Sequence, residues 1–143
     1  VDNLLAMARL QGEIDRNTDE YNKRPRKKNI GTRTEEYRFA QYIEDWRLKV
    51  ERVGNLNYPE AAKGKLFGAL MLTVTIESDG SVKKVEISRS SGHKILDDAA
   101  RRIVMMAGPY AAFSPDIRRD YEQLEITRKW SFTKANQLED SAR

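Results

Sequence analysis

A chain of 143 residues, 39% hydrophobic and 34% charged, suits one compact domain with a polar extension and leaves too little material for two globular domains. Its net charge of +4 comes from 26 basic residues interspersed with 22 acidic ones, so nucleic acid is not an expected partner. The absence of cysteine excludes a disulfide framework, a thiolate nucleophile and a thiolate metal site, and the apolar runs fall far short of the roughly 20 residues that cross a bilayer.

Residues 1–31 read as a polar and basic linker. Leu4, Met7, Leu10 and Ile14 have a weak helical spacing, and the run Lys23-Arg24-Pro25-Arg26-Lys27-Lys28 is broken by proline and repels itself. That run is read as solvated linker, with contact to phosphate, lipid head groups or acidic polymer as the functional alternative. Thr32 followed by Glu35 matches a capping box and starts a helix. Phe39, Ile43, Trp46, Val50 and Val53 then form one apolar stripe, and Gly54 is placed to end the helix. Tyr58 to Gly64 predicts a single helical turn opened by Pro59.

Leu70, Leu72, Val74 and Ile76 alternate along a first strand, and Val85 and Ile87 along a second. Between them Asp79-Gly80 supplies the positive-φ residue of a hairpin turn. From His93 to Ala107 the apolar positions Leu96, Ala99, Ala100, Ile103, Val104 and Ala107 predict a second amphipathic helix, with Asp97 and Asp98 at its positive end and Gly108-Pro109 as its stop. Tyr110 to Asp120 reads as an irregular connection. Leu124, Ile126, Trp130 and Phe132 then alternate with polar residues along a third, long strand. Arg128 falls on its apolar side, where the stem would cover the core while the guanidinium snorkels out. Residues 136–143 read as a flexible tail. The expected fold is α+β: a three-stranded antiparallel sheet, hairpin plus C-terminal strand, with two main helices packed on one face, over residues 32–135.

The chemistry is sparse. The single histidine, His93, lies near Ser90 and Ser91, but nothing at this spacing specifies an oriented base or an oxyanion site. Asp97 and Asp98 are adjacent on a helix and point about 100° apart, with no further ligand to form a metal cluster. No phosphate-binding loop follows a strand, and no cofactor or metal is expected. Attention moves to surfaces. The last strand offers an edge of unpaired backbone groups, and Glu125, Arg128 and Lys129 are charges that keep such an edge from aggregating.

Tyr58-Pro59-x-x-Ala62, Gly68-x-Leu70-x-Leu72-x-Val74-x-Ile76, Asp79-Gly80-x-Val82-x-x-Val85-x-Ile87, Ser90-Ser91-Gly92 with Leu96-Asp97-x-Ala99-Ala100, and Phe113-x-Pro115 follow one another in order. This set resembles the C-terminal domain of TonB-family energy transducers over roughly residues 58–133. The resemblance implies a non-enzymatic periplasmic domain of a protein anchored in the inner membrane, driven by an ExbB–ExbD-type motor. Its partners would be outer-membrane TonB-dependent receptors, whose TonB box adds as a strand beside the last strand of the domain. Carried onto this chain, the partner-binding residues would be Glu125, Ile126, Thr127, Arg128, Lys129, Trp130, Ser131 and Phe132, with Asn55, Leu56 and Asn57 as a second contact region. Because the sequence opens on Val1, a preceding membrane segment is expected. The helix from Thr32 to Val53 and the stretch Met105 to Pro109 depart from the family pattern. Three other readings stay open: a TolA-like envelope scaffold without transport coupling, a homodimer paired through the last strand, and a small hydrolase using His93 and Ser91.

Overall fold

A computed structural model describes residues 3–11, 25–30 and 37–142 of the chain. Residues 3–11 form helix α1, exposed throughout. The expected capping box of Thr32 and Glu35 lies outside the described residues, as do Lys23 and Arg24 of the basic run. The remaining elements are β1 (Lys27–Ile30), α2 (Tyr37–Leu56), a 3-10 turn (Glu60–Ala62), β2 (Gly68–Glu77), β3 (Val82–Arg89), α3 (Lys94–Ala107), α4 (Pro115–Asp120), β4 (Gln123–Phe132) and β5 (Leu138–Ser141).

The α+β class is as the sequence predicts, and the three expected strands form the run β4-β2-β3. The sheet nevertheless has five strands and is mixed. β4 pairs antiparallel with β2 from Gly68↔Phe132 to Glu77↔Gln123, which occupies one side of β4 along its whole length. Its other side carries β1, parallel, from Lys27↔Gln123 to Ile30↔Ile126, and β5, antiparallel, from Lys129↔Ser141 to Phe132↔Leu138. Part of the expected linker and part of the expected flexible tail are therefore strands. Each is four residues long, too short for alternation to show, and each forms because β4 presents backbone groups that need partners.

Helices α2 and α3 cover one face. Phe39, Ile43, Trp46 and Val50 of α2 and Leu96, Ala100, Ile103 and Val104 of α3 are buried with Leu72, Val74, Ile76, Leu124, Ile126 and Trp130 of the sheet. Trp46 sits 6.2 Å from the Trp130 ring and 5.9 Å from Tyr110. The opposite face is polar, with Thr73 and Thr127 hydroxyls 3.0 Å apart across β2 and β4. Residues 115–120, expected as irregular, are the short helix α4, whose Ile117 N–H donates to the Ser114 hydroxyl at 3.4 Å.

Gly54 does not end α2, which continues to Leu56. A Cβ there would strike the Leu138 side chain, so this glycine serves the close approach of β5 to the helix.

Candidate functional site

The long strand β4 is the element on which the predicted contact residues lie, and its outer side is not open. Among the described residues only Thr127 and Arg128 have no strand partner on that side, between the end of β1 and the start of β5. The expectation of a free edge from Glu125 to Phe132 is corrected accordingly.

The half of the edge under β5 is closed firmly. Arg128 does not snorkel. Its side chain is 8% exposed, and its Nη2 lies 2.6 Å from Oδ1 of Asp140, which is fully buried. Arg128 Nε donates to the same oxygen at 2.8 Å, and Trp130 Nε1 donates to Asp140 Oδ2 at 2.7 Å. Burial pushes the Asp140 carboxyl up from its ordinary value, while the Arg128 and Trp130 donors pull it back toward the charged form. The outer backbone donors of β5 are also taken. Asp140 N–H donates to Glu51 Oε1 at 3.0 Å and Leu138 N–H to Asn55 Oδ1 at 2.6 Å. Glu51 is itself held by Arg47, 3.0 Å away, which also pairs with Glu44.

Two residues of the second expected contact region also make internal hydrogen bonds. Asn55 serves β5, and Asn57 Nδ2 donates to the Val53 carbonyl at 2.8 Å, closing the last turn of α2. Tyr58 is buried edge-on against Phe132 at 5.8 Å. All three predicted residues, Asn55, Leu56 and Asn57, are exposed, Leu56 most openly as a large apolar side chain at 79%.

The other half of the edge is covered more lightly. β1 lies on Gln123–Ile126, with Ile30 in the core. Its open-face residues both meet Glu125: Lys27 Nζ lies 3.0 Å from Oε2, and Asn29 Nδ2 donates to Oε1 at 2.6 Å. Before β1, the Arg26 carbonyl accepts from Glu122 N–H at 2.7 Å and Gln123 N–H at 3.1 Å. Sequence reasoning missed Asp140, Asn29 and Lys27 as determinants of this edge. The charge of Arg128 on an apolar face, which the sequence explains by snorkelling, is the signal that could have pointed to a buried counter-ion.

The serines beside His93 are committed elsewhere. Ser90 and Ser91 hydroxyls donate to the Asp97 carboxylate at 2.5 and 2.6 Å, and the Ser91 N–H does so at 3.0 Å. No hydrogen bond joins Ser91 to the imidazole among the described residues, and no group of three or more His, Asp or Glu able to hold a metal is found there. Asp97 ties the end of β3 to the first turn of α3, a more specific task than the dipole role expected of it. Burial raises its carboxyl, but the Ser90 and Ser91 donors outweigh that and hold it below the ordinary range. A carboxyl depressed in the folded state stabilises the fold above its unfolded pKa, about 3.9, and that contribution is lost as pH falls through the folded value. Urea midpoints taken between pH 3 and pH 6 should therefore fall on acidification in the parent chain and fall less in Asp97→Asn; parallel curves would remove Asp97 from the acid response.

Among the described residues no helix is long and apolar enough to cross a membrane. Among known families, the model described as Gram-negative bacterial TonB protein C-terminal matches residues 54–134, more than half of the chain. Strands β1 and β5 both lie outside the matched span. No curated protein and no solved structure matches the chain.

Proposed function

This chain belongs to the Gram-negative bacterial TonB protein C-terminal family, a family of non-enzymatic periplasmic interaction domains of TonB-dependent energy transduction, and from that membership we propose a specific task for it. The domain binds a segment of outer-membrane transporters by strand addition to β4 and transmits to them energy drawn from an inner-membrane proton-driven motor of the ExbB–ExbD type. Its own chain supplies no catalytic group in this task. It supplies a rigid handle.

The observation that carries this reading is the state of β4. It is ten residues long and fully paired with β2 on one side, while on the other its first half is covered by a four-residue strand and the Arg26 that precedes it. A β-strand partner can take that edge by displacing β1 and refilling the place of Ile30, while β4 stays paired with β2. Of the residues expected from the sequence, Glu125 and Ile126 lie on this half, and Lys129–Phe132 lie under β5. The proposed contact is accordingly Gln123–Ile126, with Thr127 and Arg128 at its end.

Affinity should be modest. A ladder of this length makes on the order of four backbone hydrogen bonds, each worth roughly 0.5–1.5 kcal/mol net, against an association cost of about 4 kcal/mol or more. Reversible binding by a generic backbone contact suits a module that serves several receptors. Amide NMR of the labelled chain, titrated with peptides from the N-terminal segments of outer-membrane receptors, is expected to give shifts concentrated in Gln123–Arg128. A folded domain whose β4 amides do not respond to any such peptide would sink the transport reading. The second reading, an envelope scaffold without transport coupling, draws its support from the closure of Lys129–Phe132 by β5.

A further inference from the structure

β1 and β5 cover the same side of β4 but are held by different means. β5 is locked by the buried Arg128–Asp140 pair, by Trp130, and by Glu51 and Asn55 on its outer donors. β1 is held by its short parallel ladder, by Ile30, 4% exposed beside Ile126, by Glu125 on the open face, and through the exposed Arg26 before it, which meets Glu122, Gln123 and the Arg119 carbonyl. Lys27 and Asn29, two residues apart and on the same side of the strand, both converge on that one carboxylate. On the helix side Lys28 places its ammonium 5.7 Å from the Phe39 ring centroid. The edge therefore presents a patterned seat: an acid above, read by two alternate side chains, and an apolar socket below, filled by one aliphatic residue.

On the strand-addition reading just given, we propose that β1 is an internal stand-in for the partner strand. The partner that replaces it runs parallel to β4 and carries basic or amide side chains at two alternate positions facing Glu125, followed by an aliphatic residue in the place of Ile30. The physical argument is one of competition. A tethered strand acts at an effective concentration of the order of millimolar, so an incoming segment sees only the fraction of molecules in which β1 is unseated. Its apparent affinity falls by that fraction. Chains in which β1 cannot seat should bind correspondingly better, and chains in which it cannot leave should not bind at all.

The test uses the full 143-residue chain and a synthetic peptide with the sequence of residues 25–30 as the probe. In Ile30→Asp, where a carboxylate would have to enter the core, the peptide is expected to bind at least tenfold more tightly than to the parent chain, with amide shifts at Gln123–Ile126. Should that variant lose its fold, the pair Lys27→Cys with Gln123→Cys makes the same comparison, since the two positions face each other in register and the chain has no other cysteine. Oxidation is expected to abolish peptide binding and reduction to restore it. A probe with glutamate in place of the Lys27 and Asn29 side chains should lose at least tenfold and recover on Glu125→Lys. Equal affinity for the parent and Ile30→Asp chains, binding by the oxidised pair, or indifference to the charge exchange overturns the proposal. Receptor peptides separate it from the functional reading. If they shift Gln123–Ile126 equally in both chains, transport stands and the stand-in falls; if only the residue 25–30 probe binds, the edge chemistry is supported and the transport reading falls.

Discussion

Asp140→Ala is expected to destabilise the fold by about 3–5 kcal/mol, measured as the change in urea unfolding free energy, because it leaves the Arg128 guanidinium charged and unpaired in a buried site. The indole N–H of Trp130 loses its acceptor in the same step. The pair as a whole is worth much less than the cost of breaking it, since burial opposes the charged carboxyl that Arg128 and Trp130 favour. The double variant Arg128→Met, Asp140→Asn removes both charges and keeps a carbonyl for Trp130. It should recover more than half of the loss. A single-variant effect under about 1 kcal/mol would mean that the ion pair does not anchor β5. Hydrogen exchange reads the same event locally: in Asp140→Ala the amides shared by β4 and β5 should exchange faster than those shared by β4 and β2.

Gly80→Ala should cost about 3 kcal/mol or more, and the reason is divided between two levels of structure. Gly80 has φ +90°, a conformation that a side chain strains by roughly 1–2 kcal/mol. In addition, a Cβ at this position would land on the carbonyl oxygen of Tyr110. The turn is a docking point for the chain after α3: Tyr110 N–H donates to the Gly80 carbonyl at 2.8 Å, and Phe113 N–H to the Ser78 carbonyl at 2.9 Å. Gly92 provides the control. Its φ is +88°, but nothing lies within 4 Å of an added Cβ, so Gly92→Ala should show the conformational part alone. Equal losses at the two glycines would show that the Tyr110 segment yields freely and that only backbone strain matters.

The same two glycines show how far local chemistry carries. That Gly80 needs a positive φ is legible in a hairpin sequence; that Tyr110 lies against it is not. Gly54 differs for the same reason: its sequence context predicts a helix stop, and the structure places Leu138 against it instead. At the candidate site, Glu125 and Ile126 were legible because they lie on a ten-residue strand with clear alternation. Their occupants were not. Lys27–Ile30 sits in a run of like charges that ordinarily reads as solvated, and Leu138–Ser141 carries a buried aspartate where a strand pattern would want an apolar residue.

Repeating local patterns thus determined the α+β class, the hairpin, the last long strand and the helices α2 and α3, because periods of two and 3.6 residues over eight or more positions report which face is buried. Tertiary structure alone decided what covers the outer side of β4. Strands of four residues have no reliable pattern of their own, and theirs comes from the unpaired N–H and C=O groups of β4, from a socket for Ile30, and from a buried arginine that required Asp140 as its counter-ion.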